Sequence, residues 1–317
     1  MHRPETFAET ITFGGSDLDR AEDLRRHPER LADEVVRTLP LWRGKPLLRD
    51  GAGVIETLPG DAFPGLGPAV LLGRSEGTAV VARDVSALAV AGVEDRIDTF
   101  HDESRQTHAD LPPGTAFAEL RGAMTMLSAR DAELVATARG VLEWHRTHGH
   151  CANCGAATRP IKLGWARACD GCARQHFPRV DPVVIMLVTH GNDCLLGRSP
   201  AWPERFFSCL AGFMEAGETM EGAVRREVWE ETGVRVGPVA YVASQPWPFP
   251  HSLMLGAWGQ ATTRDIVIDP VEIAEARWVS REALLDVLAG RDDALIPARP
   301  GAVARFLLEA WLAGRVG

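Results

Sequence analysis

The period of the apolar positions divides this chain into stretches of different character. Between residues 16 and 36, Leu18, Ala21, Leu24, Leu31 and Val35 fall roughly on one side of a helix, with Pro28 as an interruption or a second start. Residues 69–72 and 78–82 are short apolar runs joined by GRSEG, a hairpin signal. Residues 117–127 form an apolar helical candidate. Residues 131–148 form a clearer one, with Leu134, Ala138, Val141, Leu142 and His145 at helical spacing and Gly149 as its stop. His145 and His148 read as surface or helix-end histidines rather than ligands. Past residue 180 the pattern changes. VVIMLV at 183–188 is a continuous apolar run, as a strand buried on both faces requires. His190-Gly191-Asn192-Asp193 turns the chain, and residues 194–196 return. Further strands are predicted at 206–210, 239–243, 253–258 and 276–279, and helices at 281–288 and 302–312. Strands flanked by helices on a mixed sheet predict an α/β/α sandwich.

Length and composition add bounds. The chain has 317 residues, enough for about two domains. A net charge of −9 argues against a general nucleic-acid binder. No apolar run reaches membrane-span length and the N-terminus lacks an apolar signal core, so a cytoplasmic protein is the expectation. No internal repeat is visible.

Four of the six cysteines form Cys151-x2-Cys154-x14-Cys169-x2-Cys172. Paired Cys-x2-Cys knuckles each present two thiolates, and two knuckles complete a tetrahedral Zn2+ site. Four protein ligands leave no open position, so this zinc is expected to be structural. Cys194 and Cys209 stand alone in apolar surroundings and read as small core residues. Between Cys151 and Arg179 lie five basic residues (Arg159, Lys162, Arg167, Arg174, Arg179) against Asp170 alone, a local +4. A phosphate-bearing partner near this module is one reading, and simple solvation of it is the other.

The most informative stretch is GFMEAGETMEGAVRREVWEETGV at 212–234. Glu227, Glu230 and Glu231 are spaced i, i+3, i+4, which puts three carboxylates on one helical face. They would repel one another unless a cation sits against them, and hard divalent ions prefer such oxygen ligands. Val224 and Val228 would anchor the helix to the sheet and leave the glutamates facing out. Gly212 and Gly217 allow a tight loop before the helix, Gly233 its left-handed end, and Arg226 a salt bridge to Glu218 that braces loop against helix. The stretch resembles the Nudix box, G-x5-E-x7-R-E-U-x-E-E-x-G-U with U aliphatic, at every defined position. The resemblance implies Mg2+ or Mn2+ binding and hydrolysis of a diphosphate linked to another moiety.

SQPWPFPHS at 244–252 narrows that moiety. Its prolines hold the backbone extended, and Trp247 and Phe249 offer flat faces to stack a base. It resembles the S-Q-P-W-P-F-P-x-S that follows the box in NADH pyrophosphatases of the NudC type. With the zinc module, the likeness covers about residues 139–310. It implies a zinc-containing homodimer that splits NAD(H) into AMP and nicotinamide mononucleotide and removes NAD caps from RNA 5′ ends.

Carried over position by position, the resemblance gives metal ligands at Glu227, Glu231, Glu272 and the Ala211 carbonyl; on the residues themselves the catalytic carboxylates are Glu230 and Glu231, with Glu230 either a third ligand or the base. It gives substrate contacts at Phe177, Phe213, Gln245, Pro246, Trp247, Pro248, Phe249, Pro250, His251, Ser252 and Ala304, and at Arg121. Phe177 stands where many relatives carry tyrosine, and Gly164 where some carry glutamate. The domains implied are 1–147 (an N-terminal α+β domain), 148–178 (zinc ribbon) and 179–317 (Nudix). The rival is a zinc-ribbon regulator whose Nudix fold only senses a nucleotide. A sensor has no need of the complete glutamate set.

Overall fold

A computed structural model describes residues 6–49, 54–91 and 104–317. The chain divides into two units. The first holds Gly15–Val180 together with the short segment Trp247–His251, and the second holds Asp181–Pro246, Ser252–Gly317 and a piece of the N-terminal segment.

In the first unit, the hairpin strands Ala69–Ser75 and Thr78–Asp84 continue into a sheet through Val36–Trp42, which pairs parallel with Thr78–Asp84 and antiparallel with Lys45–Arg49. The helix Ala129–Thr147 starts at Ser128, whose hydroxyl accepts from the Asp131 amide at 3.0 Å. It packs on the hairpin.

Two expected helices are largely absent. Within residues 16–36 only Glu22–Arg26 is α-helical, followed by a 3-10 turn over Pro28–Asp33. Long-range bonds break the pattern: the Arg74 amide donates to the Asp19 carbonyl, and the Arg74 guanidinium binds Asp23 and Glu34 at 2.7–2.8 Å. Within 117–127 only Leu120–Ala123 is helical, because Phe117 lies in the strand Thr115–Ala118 opposite Leu47, both fully buried. Strands Val36–Trp42 and Lys45–Arg49 escape the sequence reading, since Pro40 and Lys45 disguise a buried run.

Three short strands, Thr158–Ile161, Ala166–Cys169 and Gln175–His176, form an antiparallel ribbon. Two sequence readings change here. His145 is buried, with Nε2 2.8 Å from the Gly164 carbonyl and Nδ1 2.8 Å from Arg167 Nη1. A guanidinium can only donate, so Nδ1 accepts and the ring is neutral. Burial, with help from Arg167, holds its pKa below the usual histidine value. Arg167 is itself buried and also donates to the Thr158 hydroxyl and carbonyl at 2.7 Å. It is a buried brace within the ribbon and leaves the exposed basic set.

The second unit is built on a mixed sheet in the order Val236–Trp247, Ser252–Ala261, Asp181–His190, Asp193–Arg198, Glu275–Ser280, with Leu210–Phe213 also paired to Asp181–His190. The central strand Asp181–His190 runs parallel to Ser252–Ala261 and antiparallel to its other partners, which makes the sheet mixed. Val184, Met186, Val188 and Ala257 pack against Ala223, Val224 and Val228 of the helix Met220–Thr232. Gly256, one residue from Ala257, faces Val303 and Leu307 of the helix Val303–Leu312. Adjacent strand residues point to opposite faces. The two helices therefore cover opposite faces of the sheet, the expected α/β/α sandwich. Cys194 and Cys209 are buried core residues, and burial pushes the Cys209 thiol up to about 12.

Candidate metal and substrate site

The ribbon brings its four cysteines together. Among the described residues, Cys151, Cys154, Cys169 and Cys172 form a group whose sulfurs all lie within 4.8 Å of one another. The Sγ–Sγ distances are 3.7 Å for Cys151–Cys172 and 3.5 Å for Cys154–Cys169. Tetrahedral Zn–S bonds of about 2.3 Å require sulfurs about 3.8 Å apart, so the cluster fits zinc. The knuckle amides of Asn153, Gly171 and Cys172 point at sulfur at 3.3–3.4 Å, a donor set suited to thiolates.

In the second unit Glu227, Glu230 and Glu231 stand on Met220–Thr232. Thr219 caps its start, accepting from the Gly222 amide at 3.2 Å. Gly233 ends it at φ 69°, its amide reaching the Trp229 carbonyl at 2.8 Å. Contrary to the outward-facing picture, Glu227 and Glu231 are only 8% and 7% exposed. Of the three glutamates spaced i, i+3, i+4, only Glu230 is exposed, with 46% of its side chain accessible.

For Glu227 the physical reason is the neighbouring strand Leu210–Phe213, where Ala211 and Gly212 sit opposite Ile185 and Val184. A Cβ at Gly212 would lie 1.9 Å from Glu227 Cδ. The missing side chain is what lets the Glu227 carboxylate lie against the sheet.

Arg226 fixes the surroundings. It grips Glu218 through Nε at 3.1 Å and Nη2 at 2.6 Å, reaches Glu227 at 2.9 Å and Glu230 at 3.1 Å, and donates to the Phe213 carbonyl at 2.9 Å. The hydrogen bonds from Arg226 hold the Glu218 carboxyl below the usual carboxylate range.

Glu231 has no such support. Its Oε2 is buried without a hydrogen-bond partner. Burial, reinforced by the carboxylates of Glu227, Glu272 and Glu230, pushes its pKa up to about 8. Glu227 is also raised, chiefly by burial, with Arg226 opposing. Glu272 is exposed and lies in a turn hung from the helix end, where the Asp269 amide donates to the Glu231 carbonyl at 3.1 Å. An unsatisfied buried carboxylate oxygen among other carboxylates is a donor set that a hard divalent cation satisfies.

The remaining positions separate by unit. Phe213 in the second unit and Phe177 in the first are each 61% exposed, unusual for phenylalanine. Ala304 is buried in the first turn of Val303–Leu312. Gln245 is fully buried, with Nε2 donating to the Thr12 and Gly301 carbonyls at 2.7 and 2.8 Å and Oε1 accepting from the Val303 amide at 2.9 Å. Both amide hydrogens are used, so its side chain ties down the root of the loop. Pro246 and Pro250 are exposed, Pro248 is buried, and His251 and Ser252 are half-buried. Trp247 and Phe249 meet edge to face at 4.9 Å. Arg121 lies over the Phe249 ring at 4.0 Å, and Arg139, which the sequence reading misses, lies over it at 4.8 Å. Nothing in the helical pattern of Ala129–Thr147 sets Arg139 apart from other polar positions.

Comparison with known proteins agrees with this architecture. Residues 36–144 match the NADH pyrophosphatase-like rudimentary NUDIX domain, 146–177 the NADH pyrophosphatase zinc ribbon domain, and 178–298 the NUDIX domain. Residues 36–144 are thus described as a rudimentary counterpart of the last domain, although no internal repeat is visible in the sequence.

The chain is similar to the NAD-capped RNA hydrolase NudC of Mycobacterium bovis, at 36% identity over 93% of this chain and 92% of the relative. It is similar to NudC of Stutzerimonas stutzeri at 40% over 66% and 73%. It is also similar to the Homo sapiens NAD-capped RNA hydrolase NUDT12 at 47%, over 60% of this chain and only 44% of the human protein. The chain therefore spans less than half the length of that human relative. With the bacterial likeness running nearly end to end, the chain belongs to the NADH pyrophosphatase family of Nudix hydrolases, the NudC type.

Proposed function

We propose that this protein hydrolyses the diphosphate of NAD(H) to AMP and nicotinamide mononucleotide, and that it removes NAD caps from RNA 5′ ends. The observation that carries the reading is the pair of buried carboxylates, Glu227 against Gly212 and Glu231 with its Oε2 unpartnered. Glu227, Glu231, Glu272 and the Ala211 carbonyl would hold Mg2+ or Mn2+. Such an ion, when bound, offsets the charge of the diphosphate and lowers the pKa of attacking water. Arg226 keeps Glu227 and Glu230 in register, and Glu230 or Glu231 accepts the water proton. Exposed Phe213 in the second unit supplies a flat surface on which a ring of a dinucleotide can stack, and the resemblance adds Phe177 and the loop at 244–252 as substrate contacts. The names of the bacterial relatives support NAD-capped RNA as a substrate. We further propose a structural zinc, a homodimer, a cytoplasmic location and the domain limits 1–147, 148–178 and 179–317.

The test is incubation with NADH and Mg2+ or Mn2+, with AMP and reduced nicotinamide mononucleotide resolved by chromatography. Glu231→Gln is expected to abolish both products. No turnover with either metal would leave the protein as a nucleotide sensor. Rates on free NADH and on NAD-capped RNA, measured side by side, rank the two substrates.

A further inference from the structure

The loop at 244–252 does not stay within one unit. Its root at Gln245 is fastened inside the second, whereas Trp247–His251 belongs to the first. There Phe249 lies under two guanidiniums, Arg121 at 4.0 Å and Arg139 at 4.8 Å from the ring centroid. One carboxylate serves both: Glu119 Oε1 is 3.5 Å from Arg121 Nη1 and 3.7 Å from Arg139 Nη1. Arg139 also donates to the Gly44 carbonyl at 2.9 Å. The side chains of Glu119, Arg139 and Arg121 are 14%, 16% and 26% exposed, so these contacts are shielded from solvent. The same helix approaches the loop backbone at Gly140, where a Cβ would lie 3.8 Å from His251 Cβ and 4.0 Å from the Pro250 carbonyl.

We propose that Arg121 and Arg139, paired through Glu119, are positioning residues that hold Phe249 and, through its edge-on contact, set the plane of Trp247. This rests on the reading that the loop stacks a ring of the dinucleotide. It assigns Arg121 a role through Phe249 rather than a direct grip on substrate. A cation over an aromatic face favours the held geometry by about 2- to 5-fold, and more once desolvated.

Hydrogen exchange on the full-length protein tests the hold without needing turnover. Arg121→Ala and Arg139→Ala are each expected to speed exchange in peptides covering Trp247–His251 several-fold and leave those covering Met220–Thr232 unchanged. Arg121→Lys, which keeps a cation at the ring, is expected to restore most of the protection. In steady state, KM for NADH rises more than kcat falls. In a Phe249→Leu background the same arginine substitutions add less than about two-fold, because coupled residues are non-additive. Full multiplication of the two effects, or unchanged loop exchange, would overturn the positioning role. A wild-type protein that hydrolyses no NADH would instead overturn the proposed activity and leave the exchange result standing.

Discussion

Gly212→Ala separates folding from chemistry at the glutamate site. Gly212 does not occupy the left-handed region, so alanine fits its backbone. The new methyl would lie 1.9 Å from Glu227 Cδ and 2.1 and 2.2 Å from the two carboxylate oxygens. The colliding atoms are the end of a flexible side chain, so Glu227 swings away and the strand stays. What is lost in stability is the 2.9 Å bond from Arg226. A hydrogen bond to a charged group contributes about 1.5–3 kcal/mol, and replacing glycine by alanine returns about 0.4–1 kcal/mol through the unfolded chain. The net loss is about 1–2 kcal/mol, a fall of a few degrees in Tm at about 2–4 °C per kcal/mol.

Activity should respond on another scale. Losing a residue that merely orients a metal ligand costs about 10- to 100-fold, so displacing the ligand itself should cost at least about 100-fold. The assay is NADH hydrolysis at saturating Mg2+ or Mn2+ beside a thermal melt. Glu227→Ala and the double variant are expected to match the single Gly212→Ala in rate. Retention of a third or more of wild-type activity would refute the assignment of Glu227 to the site.

Three further outcomes follow from the geometry. The purified protein should carry one tightly held zinc per chain, and Cys154→Ser should lose it and lower the thermal midpoint, since structural zinc binding is folding free energy; zinc loss with an unchanged melt would refute this. Arg226→Lys gives up the two-pronged grip on Glu218 and the Phe213 carbonyl, so urea unfolding should show a loss of about 1.5–3 kcal/mol, and calorimetry about 10-fold weaker Mg2+ binding. His145 has a folded pKa below its unfolded value, so the unfolded chain binds more protons in that window and stability falls as pH drops below about 6.5. Urea midpoints across pH 5–8 should show that slope in the wild type and a shallower one in His145→Gln.

The parts legible in the sequence are those whose partners lie close along the chain. The cysteine knuckles, the glutamate helix and the continuous apolar run at residues 183–188 rest on fixed offsets, helical period and an unbroken buried strand. Each brings its own residues together whatever the remainder does. The α/β/α order followed from the same local signals. The N-terminal strands did not: Val36–Trp42 is a strand because Thr78–Asp84 lies beside it, and the helix suggested by Leu18 to Val35 gives way to bonds with Arg74.

Tertiary structure alone decided how the site is built. Sequence offsets put Glu227 and Glu231 on one face, but only the folded chain buries both, Glu227 against Gly212, and leaves Glu230 in solvent. His145 and Arg167 pass for surface residues until the chain folds them together, although they lie 22 positions apart. Arg139 gains its meaning from Phe249, a residue far along the chain. Ligand types, helix and ribbon are short-range consequences of covalent spacing. Burial, and with it the raised pKa of Glu231, depends on which distant backbone comes close enough to exclude water.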